Sequence, residues 1–222
     1  MDGRLQRSLW MVMILFFACS SFGCIGVGAH LIYWMKGTRV EPEYTGLAGK
    51  RVAVICMSDA APYGPDLSTQ ILTKHVQQKL IREIKKIELV SKSEIEGWKD
   101  TNNWDQIDYL EIGKGVQADV VIAIELSGYS LQQGTALYRG STSYSVQVYD
   151  LNREQNAKIP VFGKGPVEFS FPENHPIPIS ASLSTNRFEQ MFMTELGEQI
   201  SHYFCGFEMP DRIASDASSS QH

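Results

Sequence analysis

The sequence has little of what builds metal centres or disulfide frameworks. Its 222 residues include four cysteines and five histidines, and two of the cysteines fall within the first 24 residues. The other two, Cys56 and Cys205, are too far apart in sequence to form a close-spaced metal-binding pair. Because a free cysteine behaves as a small apolar residue, we expect two buried thiols, with a disulfide between them as the alternative.

The chain also lacks an excess of basic residues. It carries 20 Lys and Arg against 25 Asp and Glu, a net charge of −5. A nucleic-acid-binding protein needs a basic face that neutralises phosphates. The basic stretch REIKK at 82–86 is typical of the exposed end of a helix instead. We therefore expect no nucleic-acid partner.

Sequence signatures of catalysis are missing as well. The Gly-Lys-Gly triplets at 113–115 and 163–165 lack the features of a phosphate-binding loop, and we expect a helix end and a strand bulge there. His75 has no partner at helical spacing, and His202 has only Glu198, whereas a metal site needs three or more ligands. We expect no catalytic residue, cofactor or metal. The alternative is an enzyme or small-molecule-binding domain whose site is assembled from distant loops.

What the sequence does have is a long uncharged start. Residues 8–35 contain no Asp, Glu, Lys or Arg, and the apolar core at 9–17 follows two arginines and precedes small residues, the layout of an export signal. Gly23 and Cys24 resemble the end of the lipobox of bacterial lipoproteins. We expect residues 1–36 to be a signal and anchor with Cys24 lipidated. An uncleaved transmembrane helix and a cleaved soluble product are the alternatives.

The rest of the chain has the composition of one domain with short flanks. Residues 37–48 are predicted to be a polar tether, and residues 49–209 have the usual length of a single globular domain. Residues 210–222 contain too few apolar side chains to order, so we expect a disordered tail.

Hydrophobic periodicity predicts the elements of that domain. Apolar residues recur every four positions in the first helix, at Leu72, Val76 and Leu80, and strict alternation around 144–149 is typical of a half-buried strand. We predict strands at 51–57, 87–90, 119–127, 141–151 and 158–171, and helices at 67–86, 93–98, 105–113 and 184–204.

Three helix starts are assigned from capping residues. Asp66 is predicted to cap the first helix, Ser93 with Glu96 to form a capping box, and Asp105 to cap the third helix. The resulting order is β-α-β-α-α-β-β-β-α. We therefore predict an α/β fold, a mixed sheet with packed helices, whose central strand is 119–127.

Four segments resemble an envelope-domain superfamily. They are KRVAVICMSD (50–59), LVSKSEIEGW (89–98), GKGVQADVVIAIELSGY (113–129) and YSVQVYDLN (144–152). The superfamily includes the amino-terminal domain of TolB, the lipoprotein activators of penicillin-binding proteins and the curli-secretion lipoprotein CsgG. The resemblance covers residues 50 to 205 and implies binding rather than catalysis.

These observations favour a membrane-anchored, non-catalytic interaction module on the periplasmic side of a bacterial envelope. Its expected partners are the membrane, through the anchor, and another envelope protein. Loops at 58–65 and 172–180 are the predicted contact surface, since proline-rich loops lose little entropy on binding. The candidate contact residues are Asp59, Tyr63, Glu173, His175 and Pro176.

Overall fold

The computed structural model describes residues 39–59, 67–102, 108–153, 158–179 and 183–208. The predicted anchor at 1–36, with Cys24, and the predicted tail at 210–222 lie outside the described residues. Tyr63, Asp66 and Asp105 also lie outside them. Among the described residues, no helix combines the length and the apolar character needed to cross a membrane.

The described residues form four helices and eight strands, in an order that confirms the predicted α/β fold. In chain order they are β1 (Arg39–Val40), β2 (Arg51–Ser58), α1 (Leu67–Glu83), β3 (Glu88–Leu89), α2 (Lys92–Thr101), α3 (Tyr109–Gly115), β4 (Val120–Gln133), β5 (Leu137–Asp150), β6 (Phe162–Phe171), β7 (Ile177–Pro178), α4 (Thr185–Ser201) and β8 (Phe207–Glu208).

The chain divides into two compact units. Residues 41–206 form the larger one, and the described residues of the smaller one are 39–40 and 207–208. In the smaller unit β1 pairs antiparallel with β8, with Arg39 opposite Glu208 and Val40 opposite Phe207.

The larger unit is built on a mixed sheet with the strand order β3-β2-β4-β5-β6. β2 pairs in parallel with β3 and β4, whereas β4, β5 and β6 run antiparallel to one another, and β7 adds to the start of β5. β4 is therefore central, as its continuous apolar run predicts. Its first seven residues are paired with strands on both edges, and they are almost uniformly hydrophobic because alternate residues enter the cores on the two opposite faces of the sheet.

One face of the sheet carries the main core. Alternate residues of the central strands point to this face, including Val54, Ile122 and Val146, and α1 and α4 pack on it. α1 buries Leu72, Val76 and Leu80, which confirms the predicted stripe. α4 contributes a longer stripe, consisting of Phe188, Phe192, Met193, Leu196 and Ile200. Full burial of each large side chain contributes about 1.5–3 kcal/mol, so these stripes fix both helices on the sheet.

The opposite face carries a smaller core under α2 and α3. Small and branched side chains of β2 and the first part of β4, such as Ala53, Ile55 and Ala123, pack against Ile95 and Ile112. This cover stops at Ala123, and the next residue of β4 on the same face is Glu125.

Two of the predicted helix caps are wrong. The N-cap of α2 is Ser91, which forms a capping box with Glu94, because the Ser-x-x-Glu pattern occurs twice in succession and the helix begins at its first occurrence, directly after β3. The N-cap of α3 is Asp108, whose Oδ1 accepts from the backbone N–H groups of Leu110 (2.9 Å) and Glu111 (3.1 Å), and not Asp105.

The two strands predicted on either side of one turn are too short. β4 continues to Gln133 and β5 begins at Leu137, so the two strands form a long hairpin that turns at Gly134, where φ is +65°. The sequence pattern hides this extension because alternation weakens where the register shifts, between Ser127 and Gln132. α1 ends at Glu83, three residues earlier than predicted.

Candidate functional site

A groove of about 670 Å³ opens on the sheet face that α2 and α3 leave uncovered. Its floor is formed by side chains of β4 and β5 that point away from the main core, including Glu125, Ser143 and Gln147. Tyr109 of α3, Pro160 just before β6 and Pro166 within β6 form its walls. We call it the open-face groove.

Glu125 lies at the centre of the polar floor. The hydroxyl of Tyr109 donates a hydrogen bond to Oε1 of Glu125 (2.9 Å), and Oγ of Ser145, its register partner on β5, donates to Oε2 (3.4 Å). Burial, then the negative charge of Glu125, raises the pKa of Tyr109, so this phenol stays protonated and remains a donor. The two hydroxyl groups hold the carboxylate in a fixed orientation.

Within the described residues, no Lys, Arg or His forms an ion pair with Glu125. Lys164 is a basic residue of the groove lining, and its ammonium group lies 2.5 Å from Glu43 and 5.9 Å from the ring centroid of Tyr203. The side chain of Lys164 is therefore committed to an ion pair with another carboxylate. Glu125 presents a negative charge whose partners in the groove are hydroxyl groups.

A bulge in β6 shapes one wall of the groove. The register between β5 and β6 shifts between Tyr144 and Val146, next to Gly165. At Gly165 φ is +110°, and an added Cβ would lie 2.6 Å from the carbonyl oxygen of Tyr144, so only glycine fits. This confirms the bulge predicted for the second Gly-Lys-Gly triplet, and α3 ends at Gly115 of the first, also as predicted.

Of the predicted contact residues, Asp59 lines the groove. Its Oδ2 accepts a hydrogen bond from the backbone N–H of Gly128 (2.9 Å), at the position where β4 begins to change register. This hydrogen bond links the residue that follows β2 to the bulged part of β4. Its assignment as a contact residue stays a prediction.

The predicted contact loop beginning at Pro172 lies apart from the open-face groove, near the start of β5. Arg139 donates from Nη2 to the backbone carbonyl of Glu173 (3.2 Å), and His175 is exposed to solvent. Pro176 leads into β7, which pairs with Leu137 and Tyr138. Glu173, His175 and Pro176 are not among the residues that line the open-face groove, and their role in contact also stays a prediction.

A second polar cluster links α1 to α4, and the sequence analysis identified only part of it. Besides the predicted pair, in which Nε2 of His202 lies 3.5 Å from Oε1 of Glu198, Nε2 of His75 lies 3.4 Å from Oε2 of the same carboxylate. Lys79 also pairs with Glu198. The structure therefore joins the two histidines that the sequence treats separately, since α1 and α4 pack side by side and bring residues more than 100 positions apart into contact.

Burial and charge act in opposite directions on this cluster. Burial would raise the pKa of Glu198, but hydrogen bonds from Lys79 and His75 and nearby positive charges outweigh it, and the net pKa lies below the ordinary value. Burial lowers the pKa of His202, and the attraction of Glu198 offsets only part of that shift. No group of three or more His, Cys, Asp or Glu side chains in the described parts of the chain is arranged to hold a metal ion.

Cys56 and Cys205 are not bonded to each other in a disulfide. Cys205 is buried, and burial raises the pKa of its thiol to about 11, so it is protonated and unreactive at neutral pH. Cys56 is only partly buried, and it packs against the edge of the main core. The prediction of two thiols instead of a disulfide agrees with the structure, but the prediction that both are buried is wrong for Cys56.

No family model matches the chain, and no curated protein matches it. Among solved structures it is similar to lipoprotein GNA1162 from Neisseria meningitidis, with a TM-score of 0.43 and 12% identity, covering 68% of this chain and 97% of that one. It is also similar to the hypothetical protein CT253 from Chlamydia trachomatis, with a TM-score of 0.41 and 12% identity, covering 70% of this chain and 98% of that one. A further likeness is to the LpoB C-terminal domain from Salmonella enterica, with a TM-score of 0.37 and 15% identity, covering 57% of this chain and 84% of that one. With identities and TM-scores this low, no function is inferred from these likenesses.

Proposed function

We propose that this chain is a membrane-anchored, non-catalytic interaction module of the bacterial cell envelope, and that it binds another envelope protein through the open-face groove. The observation that carries the proposal is the groove itself. It places an oriented carboxylate, Glu125, on a sheet face that the described helices leave open.

The chemistry of the groove supports binding. Tyr109 is a protonated donor, Ser145 donates to the same carboxylate, and Gln147, whose Oε1 accepts from the hydroxyl of Tyr149, carries amide N–H groups that can donate. Met57 and two prolines supply apolar area around this polar floor. An interface with polar groups in a partly apolar setting gives specificity through hydrogen bonds and affinity through burial.

Photocrosslinking in the native membrane tests the proposal. A photoreactive amino acid placed at Gln147, on the groove floor, should capture an envelope protein, and Glu125→Gln should reduce that capture. The same amino acid at Lys85, an exposed position that does not line the groove, is the matched control. Equal capture from both positions, or a yield of capture that Glu125→Gln does not reduce, would refute the groove as the binding surface.

The membrane anchor is tested by intact mass. If Cys24 is lipidated, the purified native protein should lack residues 1–23 and carry acyl chains, and Cys24→Ser should accumulate as the unprocessed precursor. Cys19→Ser is the matched control and should be processed normally. An unprocessed Met1 terminus in the native protein would favour the uncleaved helix instead.

A further inference from the structure

A second opening lies at the outer edge of β2, away from the open-face groove. β3 pairs with β2 only at Arg51 and Val52, and among the described residues no strand continues that pairing along the rest of β2. A slot of about 280 Å³ begins where β3 ends, lined by Val54, Ile55 and Cys56 at its base.

The backbone of β2 faces this slot. The N–H of Val90 donates to the carbonyl of Val52 (2.9 Å), so the peptide groups of Val52 point to the outer edge. Because alternate residues of a strand direct their peptide groups to the same side, the N–H and carbonyl of Val54 point there as well. No hydrogen bond between described residues engages them on that side, although Val54 is 1% exposed. Buried backbone groups in native proteins are almost always paired, so this edge is suited to a further strand.

Two helices form the walls of the slot, each through one face. α1 contributes Gln70, Thr73, Lys74 and Gln77, and α2 contributes residues at 92, 95, 96 and 99. Both sets follow the spacing of one helical face. The slot thus lies along the edge of β2, between a wall from α1 and a wall from α2 that are mainly polar.

The charge of the slot is opposite to that of the chain. Lys74 and Lys92 are exposed on the two walls, and among the described residues neither forms an ion pair. Lys99 lies 3.5 Å from Glu96, so the acidic residue of the lining is already compensated. The slot is therefore net positive in a chain whose net charge is −5.

We infer that the β2 edge slot binds an extended acidic segment of a partner protein, which adds to the sheet as a strand beside β2. Backbone hydrogen bonds to Val54 supply affinity, and acidic side chains supply specificity. Successive residues of a strand point to opposite faces, so one acidic side chain reaches Lys74 on α1 and its neighbour reaches Lys92 on α2. This inference does not depend on the open-face groove.

Peptide binding to the full-length protein in detergent tests the inference. The probe is a short fluorescein-labelled peptide in which pairs of adjacent glutamates alternate with pairs of threonines, so that glutamates point to both faces of the strand, and binding is measured by fluorescence anisotropy. It should bind, and binding should slow hydrogen exchange at the Val54 amide. The Lys74→Glu/Lys92→Glu double variant should weaken binding about tenfold through like-charge repulsion. Lys85→Glu/Lys114→Glu, which reverses two exposed lysines outside the slot, should leave it unchanged.

Two further peptides separate strand pairing from simple charge attraction. The same peptide with every backbone nitrogen methylated keeps its charge but has no N–H to donate on either edge, so it cannot form the ladder and should not bind. A threonine-lysine peptide should not bind either. Equal binding of the methylated peptide, or no effect of the lysine reversals, would overturn the inference. So would concentration-dependent dimerisation that the lysine reversals abolish, because a second copy would then occupy the slot. Photocrosslinking from Gln147 is scored separately, so the groove and the slot can fail independently.

Discussion

Truncation of Leu80 to alanine tests how α1 is held on the sheet. Leu80 is 0% exposed and belongs to the main core, together with Leu72 and Val76 of the same helix. Removing a fully buried leucine side chain loses its transfer free energy and leaves a cavity, which costs about 2–5 kcal/mol of unfolding free energy. For a domain of this size each kcal/mol lowers the melting temperature by about 2–4 °C, so a decrease of about 4–20 °C is expected.

The neighbouring residue supplies the control. Ile81 is 60% exposed, so Ile81→Ala keeps the core intact and should change stability by less than about 0.5 kcal/mol. Urea unfolding followed by circular dichroism measures the stability of both variants. An unchanged slope of the unfolding free energy against urea concentration shows that the same surface area is exposed on unfolding. If Leu80→Ala loses no more stability than Ile81→Ala, α1 does not pack through the face assigned to it.

Two further predictions concern acid sensitivity and close packing. His202 and Glu198 both have lowered pKa values in the folded chain, so on acidification the unfolded chain binds more protons than the folded one. The free energy of unfolding should therefore decrease as the pH falls, first below about 6.5 for His202 and then below about 4.5 for Glu198. His202→Gln should remove the loss near pH 6 in a denaturation series, and an unaltered pH profile would contradict this assignment. Gly140→Ala should destabilise by about 1–3 kcal/mol, because its Cβ would lie 2.0 Å from the buried ring of Phe192. Gly163→Ala, with no atom within 4 Å of the added carbon, should cost nothing in the same thermal denaturation assay, and equal losses in the two variants would refute the packing argument.

The elements were predictable where local pattern and burial agree. The buried stripe of α1 and the alternation of β5 each follow from a single period, so their positions could be derived without tertiary information. Helix caps were less certain because Ser91 and Ser93 both begin a Ser-x-x-Glu pattern, and only the end of β3 decides between them.

The functional surfaces depend on which faces neighbouring elements leave open, and local pattern does not encode that. In the sequence, the one indication of the open-face groove is Glu125, because it is a charged residue inside the apolar run from Val120 to Leu126. His75 could not be connected with Glu198, because the contact depends on how α1 packs against α4. The β2 edge slot arises from the shortness of β3, which is a property of pairing rather than of composition.

The parallel ladder between β2 and β4 also affects the order in which the domain assembles. Of the strands in the larger sheet, β2 leaves the ribosome first, yet its partner on one side begins at Val120, after three helices and β3 have been made. β4, β5 and β6 follow one another directly and pair as an antiparallel meander, so they close short loops at small entropic cost. β4, β5 and β6 can thus pair first and act as a template, and β2, although synthesised earlier, joins them later. Until then β3 can pair only with Arg51 and Val52, and the apolar remainder of β2, residues 53–58, is an unpaired segment open to aggregation.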